Sequence, residues 1–209
     1  MSHPKERTRL AKKRHDEPGV TLRGVRRTVV GRLRREGDTR VRYEEGGRLL
    51  KSEELVRRRC LRAGWTAVCL PPTIWRVLGA VERLEAQSPD AGLLDLVERA
   101  GALRPRRMCR AIETVRAVLP AAKRRALVER HGGADVNPEQ PGTPDLLVYR
   151  ERQGVVPHSV RFVEVKRSGP PPETLKPHQR SEIEFLKELG FKAGVLRLEE
   201  RVAAAGRCA

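Results

Sequence analysis

Two short strings, Gly142-Thr143-Pro144-Asp145 and Val163-Glu164-Val165-Lys166, carry two carboxylates and one ammonium. Between them run Leu146-Leu147-Val148-Tyr149-Arg150, a polar stretch holding Gly154, and Ser159-Val160-Arg161-Phe162-Val163. Two apolar, β-branched runs around a turn signal predict a hairpin. If it closes symmetrically about the Gly154–Val155 peptide, Asp145 faces Glu164 across the ladder. Side chains alternate along a strand, so Glu164 and Lys166 share one face while Val163 and Val165 take the other, toward a core. Three charged groups then converge on one side of a small sheet.

Such a cluster suits a hard cation with oxygen ligands. Mg²⁺ takes one or two carboxylates, keeps several waters and leaves room for substrate phosphate; Mn²⁺ is the alternative ion. Asp145 and Glu164 are the expected ligands, with the backbone carbonyl of Val165 as a third protein oxygen. A metal held there acidifies water and neutralises charge developing on phosphorus. Lys166, a compact point charge, would position or deprotonate that water and stabilise the transition state. This is the chemistry of a metal-dependent phosphodiesterase. A Pro-Asp turn or a Glu-x-Lys charge pair is ordinary in isolation. Their order, the hairpin and the apolar alternate positions favour the catalytic reading.

The fuller string resembles the PD-(D/E)xK nuclease superfamily and, within it, the VRR-NUC branch that includes the Fanconi-associated nucleases. The likeness rests on Gly142-x-Pro144-Asp145, Glu164-Val165-Lys166 with Gly169 after it, and Leu175-x-x-x-Gln179. Leu186-Lys187-x-x-Gly190 and Ala193-Gly194-Val195-Leu196-Arg197 extend it, so that it covers about residues 140 to 200. It implies a metal-dependent nuclease core with Asp145, Glu164 and Lys166 in the catalytic positions and Gln179 as a motif residue near the site. Members of the superfamily usually add an acidic residue from an upstream helix. Here Glu53, Glu54, Glu113 and Glu129 are all candidates, and acids after Ser52 have the competing role of stabilising a helix N-terminus. For Gln179, too, a bond to the local helix backbone competes with one at the site.

The 209-residue chain has a formal charge of +17, with 34% charged and only 3% aromatic residues, so its core must be built from Leu, Val and Ala. That charge points to a polyanionic partner: DNA, with RNA as the alternative polymer. No apolar run reaches the length of a membrane span, and Met1-Ser2-His3-Pro4-Lys5 is not followed by an apolar stretch, so neither membrane association nor a signal peptide is expected. Cys60, Cys69, Cys109 and Cys208 form no C-x-x-C pair, which fits reduced thiols in a cytoplasmic protein.

Three segments emerge. Residues 1 to 50 form a basic arm with short strands over 20–23, 28–32 and 39–43; residues 1 to 42 alone hold 14 Lys and Arg against 5 Asp and Glu. Residues 51 to 133 read as helical, with Thr73 as a cap and Pro105 and Pro120 opening two helices whose basic face, including Arg106, Arg107 and Arg110, suits a phosphate backbone. Residues 134 to 209 form the nuclease core, its last helix starting at Pro177. The expected fold is α/β: a restriction-endonuclease-like core, with a small mixed sheet flanked by helices, behind a mostly helical segment and a basic arm. The expected function is metal-dependent hydrolysis of phosphodiester bonds in DNA. The alternative is a nucleic-acid-binding subunit whose nuclease fold is silent or needs a partner.

Overall fold

The computed structural model describes residues 20–32, 39–132, 142–150, 159–168 and 172–201. The arm before residue 20, the Gly154 turn, Gly169 and Cys208 lie outside the described residues.

Strands β5 (Leu146–Tyr149) and β6 (Arg161–Arg167) are antiparallel, pairing Leu146 with Val163, Leu147 with Phe162 and Val148 with Arg161. One further step along this register sets Asp145 beside Glu164, as the symmetric hairpin requires. From β6 the chain passes through helix α6 (Pro177–Glu188) to β7 (Lys192–Arg201), which lies parallel to β6. Parallel neighbours need such a crossover. Gly190 ends α6 at φ 78°, a left-handed conformation that glycine adopts without a Cβ clash.

The sheet is larger than the small one expected. β1 (Val20–Arg32) lies parallel to β7 on its far side, followed by antiparallel β2 (Thr39–Glu45) and β3 (Arg48–Leu50). At the other edge β4 (Thr66–Cys69) pairs antiparallel with β5. The order is β3-β2-β1-β7-β6-β5-β4, seven strands in one mixed sheet. The stretches 20–23 and 28–32 are therefore parts of one long strand, and the predominantly helical segment supplies an edge strand.

Period-two alternation divides the strands between two cores. Leu146, Val148, Val165, Leu196 and Leu198 pack with Leu55 and Val56 of helix α1 (Ser52–Arg62) on one face. Leu147 and Phe162 face the other way, into a larger core with helices α2 (Ile74–Gln87), α3 (Leu93–Arg99), α4 (Pro105–Val118) and α5 (Ala121–Gly132). Phe162 stands between Trp75 and Phe191, meeting the latter edge-on at 5.2 Å between centroids. Asp145, Glu164 and Lys166 have the parity of Leu147 and Phe162, so they belong to the face that carries the helical layer.

Some local expectations change. Lys51, not Ser52, is the residue ahead of α1; Ser52 is already helical and its hydroxyl donates to Glu53 Oε2 at 3.0 Å. Thr73 precedes α2 without a side-chain capping bond.

Gly142 leads into the Asp145 strand by passing close to α6. A Cβ placed there would lie 2.8 Å from the His178 carbonyl oxygen and 3.0 Å from Glu182 Cβ. No side-chain rotation relieves a clash with backbone, so Gly142→Ala is expected to cost about 1–3 kcal/mol. In thermal melts that is a loss of roughly 3–10 °C for a chain of this size.

Candidate active site

Asp145 sits at a bend immediately before β5, half-buried, where its carboxylate tops the ladder. Its Oδ2 accepts the backbone N–H of Val165 at 2.8 Å, and its own carbonyl accepts the N–H of Leu70 at 2.9 Å. The residue is thus fixed both to β6 and to the chain leaving β4. Val165 contributes its N–H to this arrangement.

Glu164 is 3% exposed and Lys166 8%. Lys166 Nζ lies 2.8 Å from Glu164 Oε1, the contact expected for charges two residues apart on one strand face. The same oxygen accepts Gln179 Nε2 at 2.6 Å. Gln179 also accepts the N–H of Lys176 through Oε1 at 3.1 Å. It therefore fills both roles left open by the sequence, as a local helix bond and as a contact at the site. His178, beside it, is half-buried, and burial lowers its pKa.

The two carboxyls strain the electrostatics. Burial first, then the charge of Glu164, pushes the Asp145 pKa up to about 7, with a smaller push from Glu53; the Val165 N–H and Lys166 work against these. Burial likewise raises Glu164, countered by the hydrogen bond and charge of Lys166. Two half-desolvated acids side by side resist joint ionisation until a cation joins them.

Asp145 opens into a cleft of about 940 Å³. Glu53, Glu54 and Arg57 of α1 form one wall with Lys51, and Arg106, Arg107, Arg110, Glu113 and Thr114 of α4 form another. Three of the four candidate upstream acids therefore reach this cleft, and Glu129 does not line it. Glu54 is engaged: Arg57 donates to both its oxygens at 2.9 Å and Arg58 to one at 3.2 Å. Those bonds hold its carboxyl below the usual range. Glu53, whose charge Asp145 feels, accepts the Ser52 hydroxyl and is in no ion pair among the described residues. Glu53 is the better placed of the two. Cys69 also lines the cleft, but burial pushes its thiol up and away from thiolate chemistry.

Among the described residues no three Asp, Glu, His or Cys side chains are gathered as a closed metal cage. The donor set is nonetheless of the hard-oxygen kind. Two adjacent carboxyls suffice for an ion that keeps most of its water.

The raised pKa has a signed consequence for stability. With a folded value near 7 and an ordinary value of 3.8, the folded state holds a proton that the unfolded state has released, so this group's contribution falls as pH rises from about 4 to 7. Asp145→Asn keeps an acceptor for Val165 and removes the burden. Without added metal it is expected to raise the melting temperature at pH 8 by about 5 °C, and by clearly less at pH 5, as read by calorimetry at both pH values.

The family profile described as the VRR-NUC domain matches residues 87–199. No curated protein matches the chain. Among solved structures, paFAN1 bound to DNA with a 2-nucleotide 5′ flap and a gap is similar, at 20% identity and a TM-score of 0.48. The same protein with a 1-nucleotide 5′ flap gives the same values. The alignments cover 73% of this chain and 35% of that one, so the chain spans about a third of its length. The profile match takes in more than half of the sequence, including Asp145, Glu164, Lys166 and Gln179, and the protein belongs to the VRR-NUC family.

Proposed function

We propose that the protein is a metal-dependent nuclease that hydrolyses phosphodiester bonds in DNA. The observation that carries this reading is the pair of adjacent carboxyls, Asp145 bonded to Val165 N–H and the buried Glu164 bonded to Lys166, with Asp145 opening into a cleft that three arginines of α4 also line.

Each carboxyl has one oxygen fixed by the protein, Oδ2 of Asp145 and Oε1 of Glu164. The remaining lone pairs of the two carboxyls would be offered to Mg²⁺ or Mn²⁺, with the Val165 carbonyl as a further donor and Glu53 as the upstream acid. A bound ion would supply Lewis acidity toward water and a phosphate oxygen. Lys166 supplies positive charge next to Glu164, where it would orient water and stabilise the negative charge that develops on the phosphoryl oxygens in the transition state. Gln179 locks the Glu164 rotamer, so less reorganisation is needed as charge develops.

The α4 wall accounts for grip. Arg106, Arg107, Arg110, Glu113 and Thr114 fall at i, i+1, i+4, i+7 and i+8, one side of a helix whose other side buries Met108, Ala111, Ile112 and Val115. The three arginines are exposed, and no carboxylate pairs with them among the described residues. Three other basic residues of the helical layer are committed: Arg116 pairs with Glu85, Lys123 covers Phe191, and Arg124 donates to the Leu119 carbonyl. A helix face of free guanidiniums beside the carboxyls suits successive phosphates of one strand.

A second reading is a subunit that binds nucleic acid without cutting it alone. The absence of a three-acid cluster among the described residues favours it.

Purified protein incubated with labelled single-stranded, duplex, flapped and branched DNA, and with RNA, decides between them. Cutting is expected with Mg²⁺ or Mn²⁺ and none with EDTA. Asp145→Ala or Lys166→Ala should lower the rate at least about 100-fold, and Glu53→Gln about 10-fold. Undiminished cutting by the Asp145→Ala, Lys166→Ala double variant would sink the assignment; binding without cutting across all metals would establish the second reading. Replacing Arg106, Arg107 and Arg110 together with Ala should flatten the slope of log binding constant against log salt by roughly 2 to 3. An unchanged slope would remove α4 from the interface.

A further inference from the structure

Helix α6 touches β6 and the segment that leads into Asp145 within its first two turns. Gln179 bonds Glu164 of β6 at 2.6 Å, and Gly142, three residues ahead of Asp145, is wedged against the His178 carbonyl and Glu182 Cβ. Where α6 sits therefore sets where both acids sit. Glu182 lies one turn beyond Gln179 along the same side of the helix.

Glu182 is 1% exposed, an unusual place for a carboxylate. Its two oxygens are taken up by neighbouring residues at the end of α5: Arg130 Nε donates to Oε2 at 2.9 Å, and His131 Nε2 lies 2.9 Å from Oε1. Arg130 reaches further, donating to the Ser181 hydroxyl at 2.8 Å and carbonyl at 3.2 Å, while its guanidinium covers the Phe185 ring at 4.3 Å. His131 in turn stacks loosely on Trp75 of the main core, 6.4 Å between centroids.

Hydrophobic attachment alone does not explain this cluster. Ile183, Leu186 and the half-buried Phe185 already hold α6 to the core. An apolar residue at 182 would pack without needing partners, and buried ion pairs are often no more stabilising than such a replacement. What the pair adds is direction. Apolar contacts tolerate a small rotation or slide of a helix; two charge-assisted bonds on one carboxyl do not. A shift of about 1 Å would break the Gln179–Glu164 bond.

We propose that Glu182, clamped by Arg130 and His131, is a positioning residue that fixes the rotation of α6 so that Gln179 holds Glu164 in its metal-ready rotamer. The proposal rests on the nuclease reading for its purpose, while the geometry it claims stands apart from activity. It makes the helical layer, through α5, part of the support of the site.

The test uses the full chain with Glu182→Ala, Glu182→Gln and Gln179→Ala, alone and combined. The Gln179 side-chain amide is followed by ¹H–¹⁵N NMR, assigned by its loss in Gln179→Ala, and Mn²⁺ affinity by titration calorimetry. In Glu182→Ala, solvent exchange of that amide is expected to accelerate and the Mn²⁺ Kd to rise about 10-fold. Glu182→Gln, which keeps oxygen and nitrogen atoms within reach of the same partners, should stay within roughly 3-fold of the parent. In the Gln179→Ala background, adding Glu182→Ala should change Kd by less than about 2-fold. A role confined to stability would lower the melting temperature and leave the amide untouched. Unchanged exchange in Glu182→Ala overturns the proposal, as does an undiminished Kd effect in the Gln179→Ala background. If the parent protein binds no Mn²⁺ and cuts nothing, the nuclease reading falls while amide exchange still decides whether the clamp exists.

Discussion

The hydrogen bond from Val165 N–H to Asp145 Oδ2 brings two acids together where neither is well hydrated. Without it, Asp145, at a bend outside the regular ladder, would turn toward water and the repulsion with Glu164 would relax. With it, the protein holds a carboxyl whose pKa is pushed up to about 7. Much of the surrounding structure compensates for that choice. Lys166 answers the charge of Glu164 from the same strand face, Gln179 satisfies the same oxygen from α6, and Leu70 N–H holds the Asp145 backbone from the chain following β4. A cation between the two carboxyls would relieve that strain.

Much of this was legible in the sequence because it is local. A period of two, a turn signal and the positions of Asp145 and Glu164 imply a register that β5 and β6 adopt, and the alternation already sends Val163 and Val165 to the opposite face. Proline and glycine punctuation placed the ends of α4 and α6. Less visible was what depends on distant pairing. β4 has only four residues and follows α1 after a short turn, so its apolar stretch Thr66–Cys69 carries too little periodicity to stand apart from the surrounding helices. Nothing local in Val20–Arg32 announces that it lies parallel to β7, more than 160 residues away in sequence. The Glu182 cluster joins residues 51 and 52 apart, with no spacing rule to reveal it.

The sequence itself separates the surroundings of Glu53 and Glu54. Arg57 and Arg58 stand three and four residues after Glu54, the spacing at which helical side chains meet. That pattern marks Glu54 as a local partner and leaves Glu53 facing the cleft. Charge as a whole needs the same sorting. A formal +17 suggests a surface made for polyanions, yet several of its arginines are held in ion pairs: Arg59 and Arg62 on Glu45, Arg116 on Glu85, Arg130 on Glu182, Arg167 on Glu173. Each such pair cancels one charge of either sign, so the formal +17 counts the uncompensated cations without saying where they lie. Arg106, Arg107 and Arg110 of α4 are informative because they line the same cleft as Asp145.

That division has a structural logic. The helix faces that pack on the sheet fix their basic residues in ion pairs and over aromatic rings, where they orient one element against another. The α4 arginines project instead from the side of the helix opposite its buried Met108, Ile112 and Val115, and so they can meet a mobile phosphate chain without disturbing the packing. Rigidity and adaptability are thus assigned to different arginines. The carboxyl pair is held by the first kind, since a displacement of about 1 Å would break the 2.6 Å Gln179–Glu164 bond. The second kind suits a polyanion, because a phosphate backbone would present many equivalent anions and reward charge more than exact placement.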